Sequence, residues 1–394
     1  MQNRVVVTGI GAICCIGKTP DEILSNLQKG KTGIGTAKYI ESKHRDTHLF
    51  GEVDISNSEL IELLQLKADE CTRTGLLALF AAKQAIENIP EEDISEYGII
   101  SSTTVGGMDR TELELDPAQP PENVEFLQTH RCGDSTNFVA KQLGLQGFST
   151  TISTACSSSA NCIMMGARLI EQGVIDKVIV GGADPLSVFA INGFSSLHIY
   201  DSQWCKPFDA NRQGLNLGEG AAYLVLERED IANERKARIL ATVTGYANSN
   251  DAYHQTASSP EGDGATLSMS NALAKAGLLP KDIDYVNAHG TGTENNDASE
   301  LKALERIFGD KIPMYSSTKA FTGHTLAACG ALEAVFSILC MNNNAIPPSL
   351  NITKALNEEV PPVTSYTEDV KIDHVLSNSF GFGGNNSTII ISRP

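Results

Sequence analysis

The chain carries an internal repeat, and this repeat limits the folds available to it more than any other feature. Residues 85–97, a helix end followed by a proline turn and a strand, are echoed by residues 272–285. Residues 153–156 lead into a helical pattern, and residues 317–319 lead, after a short loop, into the helical pattern of 326–339. Two similar halves packed about a pseudo-twofold axis would bring equivalent loops together at their interface. The repeat therefore gives a geometric reason for residues far apart in the sequence to share one site.

Each half alternates predicted strands with predicted helices, as in an α/β fold whose sheets carry helices on both faces. The predicted strands are 4–8, 97–103, 150–154, 177–180 and 221–227 in the first half, and 239–244, 285–288, 314–317, 375–378 and 388–392 in the second. The predicted helices are 21–28, 72–88, 137–143 and a helix that follows Cys156. The charged run 227–238 marks the predicted boundary, which divides the chain into halves 1–232 and 233–394.

The composition indicates a reducing compartment and excludes several classes of partner. The nine cysteines are an odd number without a C-x-x-C pair, which predicts free thiols rather than disulfides or a zinc site. The formal net charge is −18, and no block of basic residues is long enough to follow a phosphate backbone, so nucleic acid is not an expected partner. The first ten residues read as a strand rather than a signal peptide. No apolar run is expected to reach about 18 residues, so we expect a cytoplasmic protein without a membrane span.

A local basic patch can still dock an acidic partner protein, because steering depends on the local field more than on the total charge. Lys67, Arg73 and Lys206 are the candidates for such a patch. Each of them is equally compatible with ordinary solvated surface charge.

The first candidate for chemistry is Cys156, in the segment STACSSS at 153–159. A β-rich run ends there and a helical pattern begins, which stops at Gly173. The unpaired N–H groups and the positive dipole end of such a helix favour thiolate over thiol, so the pattern predicts a nucleophile. The alternative is a buried structural thiol whose neighbouring serines only cap the helix.

Three loops of the second half carry further candidates. His289 ends a predicted strand and precedes a loop with two glycines and two threonines, and open α/β sheets bind ligands at such strand ends. His324 follows the predicted strand 314–317, and a cysteine with two separated histidines is a known catalytic constellation. The third loop, 378–386, is rich in glycine and contains two phenylalanines, so it can bring backbone N–H groups close to a substrate and can move. A tight strand connection with core phenylalanines is the alternative.

Together these motifs resemble the β-ketoacyl-[acyl carrier protein] synthases, condensing enzymes of the thiolase superfamily, in particular the elongating type with a Cys-His-His site. The resemblance covers nearly the whole chain, from the opening strand at 4–12 through Cys156, His289 and the segments 319–324 and 380–384, in the family's order. It implies a duplicated αβαβα five-layer, thiolase-like fold with two mixed sheets. It also implies acyl carrier protein as a partner and a homodimer, or a heterodimer with a homologous subunit.

The activity implied by the resemblance is a decarboxylative Claisen condensation that elongates a fatty acid, polyene or polyketide chain. Cys156 would carry the acyl group, and His289 and His324 would stabilise the enolate formed as malonyl loses carbon dioxide. Lys319 would keep positive charge beside them. The other implied residues are Phe382, Phe380, Gly381 and Gly383 for the oxyanion hole and gate, Thr291, Thr293 and Val105 for substrate contacts, and Asp297 and Glu333 for support. No metal or cofactor is expected, apart from the phosphopantetheine that carries the substrates.

Two segments depart from the family pattern, and two other classes of protein stay open. Residues 294–297 lack the usual small residues, and 109–134 is unusually acidic, so the substrate is the least certain inference. A non-catalytic partner subunit would share the fold, but such subunits generally lose the nucleophile. A biosynthetic thiolase normally has a second cysteine in its last glycine-rich loop, and 378–386 contains none.

Overall fold

The computed structural model describes residues 3–67, 71–114 and 124–394, and this part of the chain contains ten strands. The strands are β1 (Val5–Cys14), β2 (Gly98–Ser102), β3 (Ser149–Ile152), β4 (Lys177–Asp184), β5 (Gly220–Arg228), β6 (Ala241–Asn250), β7 (Tyr285–Asn287), β8 (Met314–Ser316), β9 (His374–Gly381) and β10 (Asn385–Ser392). Each overlaps one of the ten predicted strands. These predictions are confirmed, and strands such as β1, β4 and β5 are apolar runs buried over nearly their whole length.

Helices connect the strands. They are α1 (Pro20–Gln28), α2 (Asn57–Leu64), α3 (Arg73–Ala85), α4 (Glu91–Ile94), α5 (Met108–Glu114), α6 (Cys132–Leu143), α7 (Ser158–Glu171), α8 (Val188–Ser196), α9 (Glu229–Glu234), α10 (Asp263–Ala276), α11 (Glu294–Phe308), α12 (Lys319–Thr322) and α13 (Cys329–Asn343). The four predicted helices are confirmed as α1, α3, α6 and α7. Helix α6 begins earlier than predicted, at Cys132, because its first turn is polar and hides the apolar period.

The order of the strands shows the duplication directly. From one edge to the other the order is β3-β2-β4-β5-β1-β6-β10-β9-β7-β8. Read from its outer edge, the first half has the order β3-β2-β4-β5-β1 and the second half has the order β8-β7-β9-β10-β6. The two orders are the same when five is added to each strand number of the first half. The directions agree as well, since β2 is parallel to β3 and β4, as β7 is to β8 and β9. The remaining pairs within the halves are antiparallel, namely β4–β5 and β1–β5 in the first half and β9–β10 and β6–β10 in the second. The predicted repeat is therefore confirmed.

The halves stack into five layers. Helices α3 and α6 cover the outer face of the first half, and α10 and α11, which pack against each other, cover the second. Helices α7 and α13 lie between the halves and contact strands of both. The two predicted mixed sheets are these halves, and a short ladder of Val6 with Thr242 and Val7 with Ala241 joins them into one continuous order.

The central helix α13 corrects one expectation. Within the described residues, the stretch Leu326–Asn343 is 18 residues long with a mean hydropathy of 1.4, so an apolar run of about 18 residues does exist. Of that stretch, 89% is buried inside the protein. Because α13 packs against α7 and both halves of the sheet, its apolar character belongs to the core.

Candidate active site

Cys156 lies on a strained turn between β3 and α7. Ala155 has a φ of 52°, in the left-handed region that non-glycine residues rarely adopt. The turn is held by local bonds, because the Ser158 hydroxyl donates to the Ala155 carbonyl oxygen at 2.6 Å and accepts from the Thr154 N–H at 2.8 Å. Such strain persists only where surrounding contacts fix it, and it is common at functional sites. The turn leaves the Cys156 thiol at the N-terminal end of α7.

The sequence predicts that Cys156 favours the thiolate, and the burial of Cys156 acts against this. Burial raises its pKa to about 11, and Lys319 together with the backbone N–H groups of Phe382 and Cys156 offsets only part of that rise. The predicted preference for thiolate is therefore opposed by burial and stays a prediction. The residue is 5% exposed, and this enclosure removes the water that would solvate a thiolate.

His289 is fixed from its backbone side by a buried glutamate. It lies in the loop after β7, and Glu300 of α11 accepts the N–H groups of His289 at 2.9 Å and Gly290 at 2.8 Å. Glu300 also accepts from the Asn378 amide at 3.1 Å, which connects this loop to β9. Burial raises the pKa of Glu300 to about 7, while these donors oppose the rise. Glu300 thus ties the His289 loop to the strand that leads into the glycine-rich loop.

The side chain of His289 contacts Lys319. The Lys319 Nζ atom is 3.2 Å from His289 Nδ1 and 2.5 Å from Glu333 Oε1. Burial alone would lower the pKa of Lys319, but the charge of Glu333 outweighs it and raises that pKa, so the ammonium persists. An ammonium has only donors, so Nδ1 of His289 must accept and Nε2 must carry the proton. Burial, Lys319 and His324 all lower the pKa of His289 well below its usual value.

His324 reaches the same protonation state by another route. The Leu326 N–H donates to its Nδ1 at 3.1 Å, which again leaves the proton on Nε2. Burial, and then Lys319, lowers the pKa of His324 well below its usual value. The rings of His289 and His324 lie edge to face with centroids 5.4 Å apart. The site therefore holds two neutral imidazoles that each keep one N–H to donate.

Cys156, His289 and His324 share one cavity of about 390 Å³. Of the predicted site residues, Thr291, Thr293, Phe380, Gly381 and Phe382 also line it. Lys319, Glu333, Asp297, Val105 and Gly383 do not. Because the nucleophile comes from the first half of the chain and both histidines from the second, the cavity lies between the repeated halves.

The glycine-rich loop closes one side of this cavity. Gly381 packs so tightly against the nucleophile turn that a Cβ atom there would lie 3.0 Å from the Thr154 carbonyl oxygen and 3.2 Å from the Cys156 nitrogen. Gly383 has a φ of 83°, and its N–H donates to the Gln255 carbonyl oxygen at 2.7 Å. The ring of Phe382 stacks on Phe194 of α8 with centroids 5.7 Å apart. Small residues are required in this loop because they let its backbone reach the thiol.

The two threonines lie between the histidine and α11. The hydroxyl oxygens of Thr291 and Thr293 are 2.9 Å apart. Asp297 supports this loop from behind, since it accepts the Gly292 N–H at 3.1 Å and the Phe208 N–H at 2.8 Å. The pKa of Asp297 is raised by its burial. Thr291 and Thr293 line the cavity, and Asp297 does not.

Val105 lies outside the cavity wall. It is half-buried in the turn after β2 and packs against an apolar cluster that includes Leu215 and Leu326. Leu215 does line the cavity. The predicted contact of Val105 with an acyl chain stays a prediction.

One group of side chains has the composition of a metal site. Among the described residues, ligand atoms of His289, Cys329 and Glu333 lie within 4.8 Å of one another. The ammonium of Lys319 already contacts both His289 and Glu333. A cation there would face the charge of a buried lysine, so these residues do not fit a metal while Lys319 is in place.

Known proteins resemble the whole chain. Residues 2–232 match the family described as beta-ketoacyl synthase, N-terminal domain, and residues 240–353 match beta-ketoacyl synthase, C-terminal domain. The 3-oxoacyl-[acyl-carrier-protein] synthase 2 of Staphylococcus aureus strain COL is 34% identical over 409 residues, covering 100% of this chain and 99% of that protein. The chain belongs to the β-ketoacyl synthase family.

Solved structures agree with this assignment. The ishigamide ketosynthase/chain length factor superposes with a TM-score of 0.92 at 30% identity, covering 100% of both chains. A type II polyketide synthase acyl carrier protein in complex with its ketosynthase, AntDE:AntF, gives a TM-score of 0.87 at 25% identity, also over 100% of both chains. The thiolase-like fold is therefore confirmed. The protein is an acyltransferase, a β-ketoacyl-[acyl carrier protein] synthase of fatty acid or polyketide elongation.

The structure contradicts the prediction that Arg73 docks a partner protein. The guanidinium of Arg73 is buried and contacts Glu219 through Nε at 2.8 Å and Nη2 at 2.5 Å. It also donates to the Ile55 carbonyl oxygen at 3.1 Å. Arg73 is therefore a core residue and wrong as a docking residue. Lys67 is exposed and Lys206 is half-buried, so both stay candidates.

Sequence reasoning missed Glu300 as a functional residue of the synthase. The one available signal was its place on α11, three residues after Asp297, which puts both carboxylates on the same side of that helix. Its partners come from the His289 loop and from β9, so its role depends on tertiary structure.

Proposed function

We propose that Cys156 carries the growing acyl chain and that His289 and His324 stabilise the enolate that extends it. The supporting observation is the shared cavity in which one buried thiol faces two neutral imidazoles, each with Nδ1 engaged and Nε2 free to donate. Two N–H donors suit an oxygen that gains negative charge. Two imidazolium ions would be costly in so enclosed a site.

The first half-reaction transfers an acyl group from its carrier to Cys156. The sulfur forms a bond to the thioester carbon, the bond to the carrier sulfur breaks, and the thiol proton passes to the departing carrier thiol. The backbone N–H groups of Cys156 and Phe382, which contact the thiol, form the oxyanion hole for the tetrahedral intermediate. Phe380 and Phe382, with Gly381 and Gly383, act as the gate.

The second half-reaction extends the chain. The malonyl carbon–carbon bond breaks to release carbon dioxide, and the electron pair forms an enolate whose oxygen accepts from His289 and His324. The enolate carbon then attacks the acyl carbon, the bond to Cys156 sulfur breaks, and the released thiolate takes up one proton from solvent to restore the thiol. Lys319 holds the His289 tautomer and supplies positive charge, with Glu333 as its partner. No metal or redox cofactor takes part in these steps.

The substrates arrive on the phosphopantetheine arm of an acyl carrier protein. The hydroxyls of Thr291 and Thr293 line the cavity and contact this arm, and Asp297 fixes their loop from behind. Lys67 and Lys206 are the remaining docking candidates for the acidic carrier. AntDE:AntF is a complex of a ketosynthase with an acyl carrier protein, and the ishigamide structure is a ketosynthase with a chain length factor.

The synthase works as a homodimer in the cytoplasm, with a heterodimer as the alternative. None of the nine cysteines, all of which lie in the described part of the chain, forms a disulfide, which suits a reducing compartment. Light-scattering mass of the purified chain distinguishes the two assemblies. A chain that dimerises alone supports the homodimer, and one that stays monomeric until a homologous subunit is added supports the heterodimer.

Carbon dioxide release from malonyl carrier protein tests the function against its two alternatives. A condensing enzyme releases carbon dioxide, forms an acyl-enzyme and makes the 3-oxoacyl product. A biosynthetic thiolase condenses acyl groups without releasing carbon dioxide from malonyl, and a non-catalytic subunit forms no acyl-enzyme. Cys156→Gln is the matched variant, because an amide beside the oxyanion hole should preserve or raise decarboxylation while abolishing acylation.

A further inference from the structure

Asp184 is a buried carboxylate that the reaction steps above do not use. It ends β4 and is 0% exposed. Every contact that the structure gives its oxygens comes from a donor. On one side these donors are the hydroxyls of Thr103 and Thr104, each at 2.5 Å, and the Thr104 N–H at 2.9 Å. On the other side the donor is the Ala327 N–H at 2.8 Å. One side chain therefore joins two loops from different halves of the chain.

The first loop is the turn after β2. The Val105 N–H also points at Asp184, at 3.4 Å, and the following Gly106 has a φ of 58°. Val105 belongs to an apolar cluster that reaches the cavity wall through Leu215. Asp184 thus holds the turn that lies behind one wall of the cavity.

The second loop follows His324. Leu326 has a φ of 51°, so this turn is strained and depends on its contacts. The Leu326 N–H donates to His324 Nδ1 at 3.1 Å, and the next N–H, from Ala327, donates to Asp184. Consecutive peptide groups therefore connect the carboxylate to the imidazole. Leu326 also packs in the same apolar cluster as Val105.

We propose that Asp184 is a positioning residue that holds His324 in its donating orientation through the Leu326–Ala328 turn. The inference rests on the proposed function of His324. Asp184 does not line the cavity, so it acts through His324 rather than on the substrate. The same carboxylate ties this turn to the Val105 turn and so fixes the two loops relative to each other.

Asp184→Asn tests the proposal. The substitution replaces one carboxylate oxygen, which accepts hydrogen bonds, by an NH₂ group, which can only donate and would face the donors that now bind Asp184. We expect decarboxylation of malonyl carrier protein to fall about tenfold, as for the loss of a buried hydrogen bond to a charged group. In a His324→Ala background the same change should cause no further loss beyond about twofold. An equal loss in both backgrounds, or no loss with His324 present, would overturn the proposal. If Asp184→Asn does not fold, Asp184→Glu takes its place in the same cycle.

Two further variants separate positioning from stability. Thr104→Val removes a hydroxyl on the Val105 side and leaves the Ala327 contact, so decarboxylation should stay within about twofold. Glu227→Gln changes an equally buried carboxylate, bound to Tyr97 and Arg235, and should lower the unfolding temperature without slowing decarboxylation by the folded enzyme. A tenfold loss in either would show that loop or global stability explains Asp184→Asn. If wild-type protein releases no carbon dioxide, the proposed function itself fails.

Discussion

The Nζ atom of Lys319 lies 3.2 Å from Nδ1 of His289, and both side chains are buried. This single contact fixes the proton of His289 on Nε2 and places a positive charge beside a thiol and two imidazoles. Burial raises the pKa of Cys156 and lowers the pKa values of His289 and His324, and the charge of Lys319 opposes the first shift and adds to the other two. One lysine therefore favours the thiolate while keeping the histidines neutral.

Lys319→Met should expose this dual role, since methionine keeps most of the volume but neither the donor nor the charge. We expect decarboxylation to fall at least about tenfold, because His289 loses the contact that fixes its tautomer. The pKa of Cys156 should rise further, so its alkylation at pH 8 should slow. Lys354→Met, at an exposed lysine 3.9 Å from Glu358, is the matched control. Unchanged decarboxylation by Lys319→Met would refute the tautomer argument.

The pH dependence of Cys156 alkylation tests the enclosed thiol. Burial raises the pKa to about 11. The thiolate fraction, and with it the rate with iodoacetamide, should therefore increase about tenfold per pH unit from pH 7 to 10. Peptide mapping separates Cys156 from the other eight cysteines. A rate that levels off by pH 8 would mean that the helix end and Lys319 do produce a thiolate near neutral pH, as the sequence predicted.

The two histidines should behave alike in decarboxylation. His289→Ala and His324→Ala should each slow carbon dioxide release by on the order of 100-fold, while Cys156 still becomes acylated. Because the pKa values of both are held well below the usual value, neither imidazole charges near neutrality, so protonation of the histidines should not change the wild-type rate between about pH 6 and 8. His254→Ala, at an exposed position, is the control. A variant that decarboxylates normally but cannot be acylated would reverse the assigned roles.

The sequence predicted the strands, the repeat and the members of the site better than the state of those members. Strands are readable because their apolar runs are local, and Cys156 and the histidines are readable because their loops carry motifs. The pKa of the Cys156 thiol could not be read from the sequence, because the glycine-rich loop that helps to enclose the thiol lies far along the chain. Glu300 was missed and Arg73 was wrongly assigned to docking for the same reason, because their partners lie far along the chain.

Chain-length preference tests whether Val105 borders the acyl pocket. Val105→Phe should block long acyl chains and spare short ones, because apolar pockets discriminate by about 1 to 3 kcal/mol per methylene. Acylation rates measured over a series of acyl carriers should then show a step at one length. The acylation rates of Val105→Ala, which has a smaller side chain at this position, should show no such step. An equal slowing at all lengths, or loss of folded protein, would mean that Val105 is a core residue and that the pocket ends elsewhere.

The intact mass of the protein after incubation with an acyl carrier protein tests the central claim most directly. We expect wild-type protein to gain the mass of one acyl group, located on the peptide that contains Cys156. Cys156→Ser should fold normally, gain no acyl mass under the same conditions and form no 3-oxoacyl product when malonyl carrier protein is added. An acyl group on another residue, or condensation by Cys156→Ser at the wild-type rate, would contradict the account.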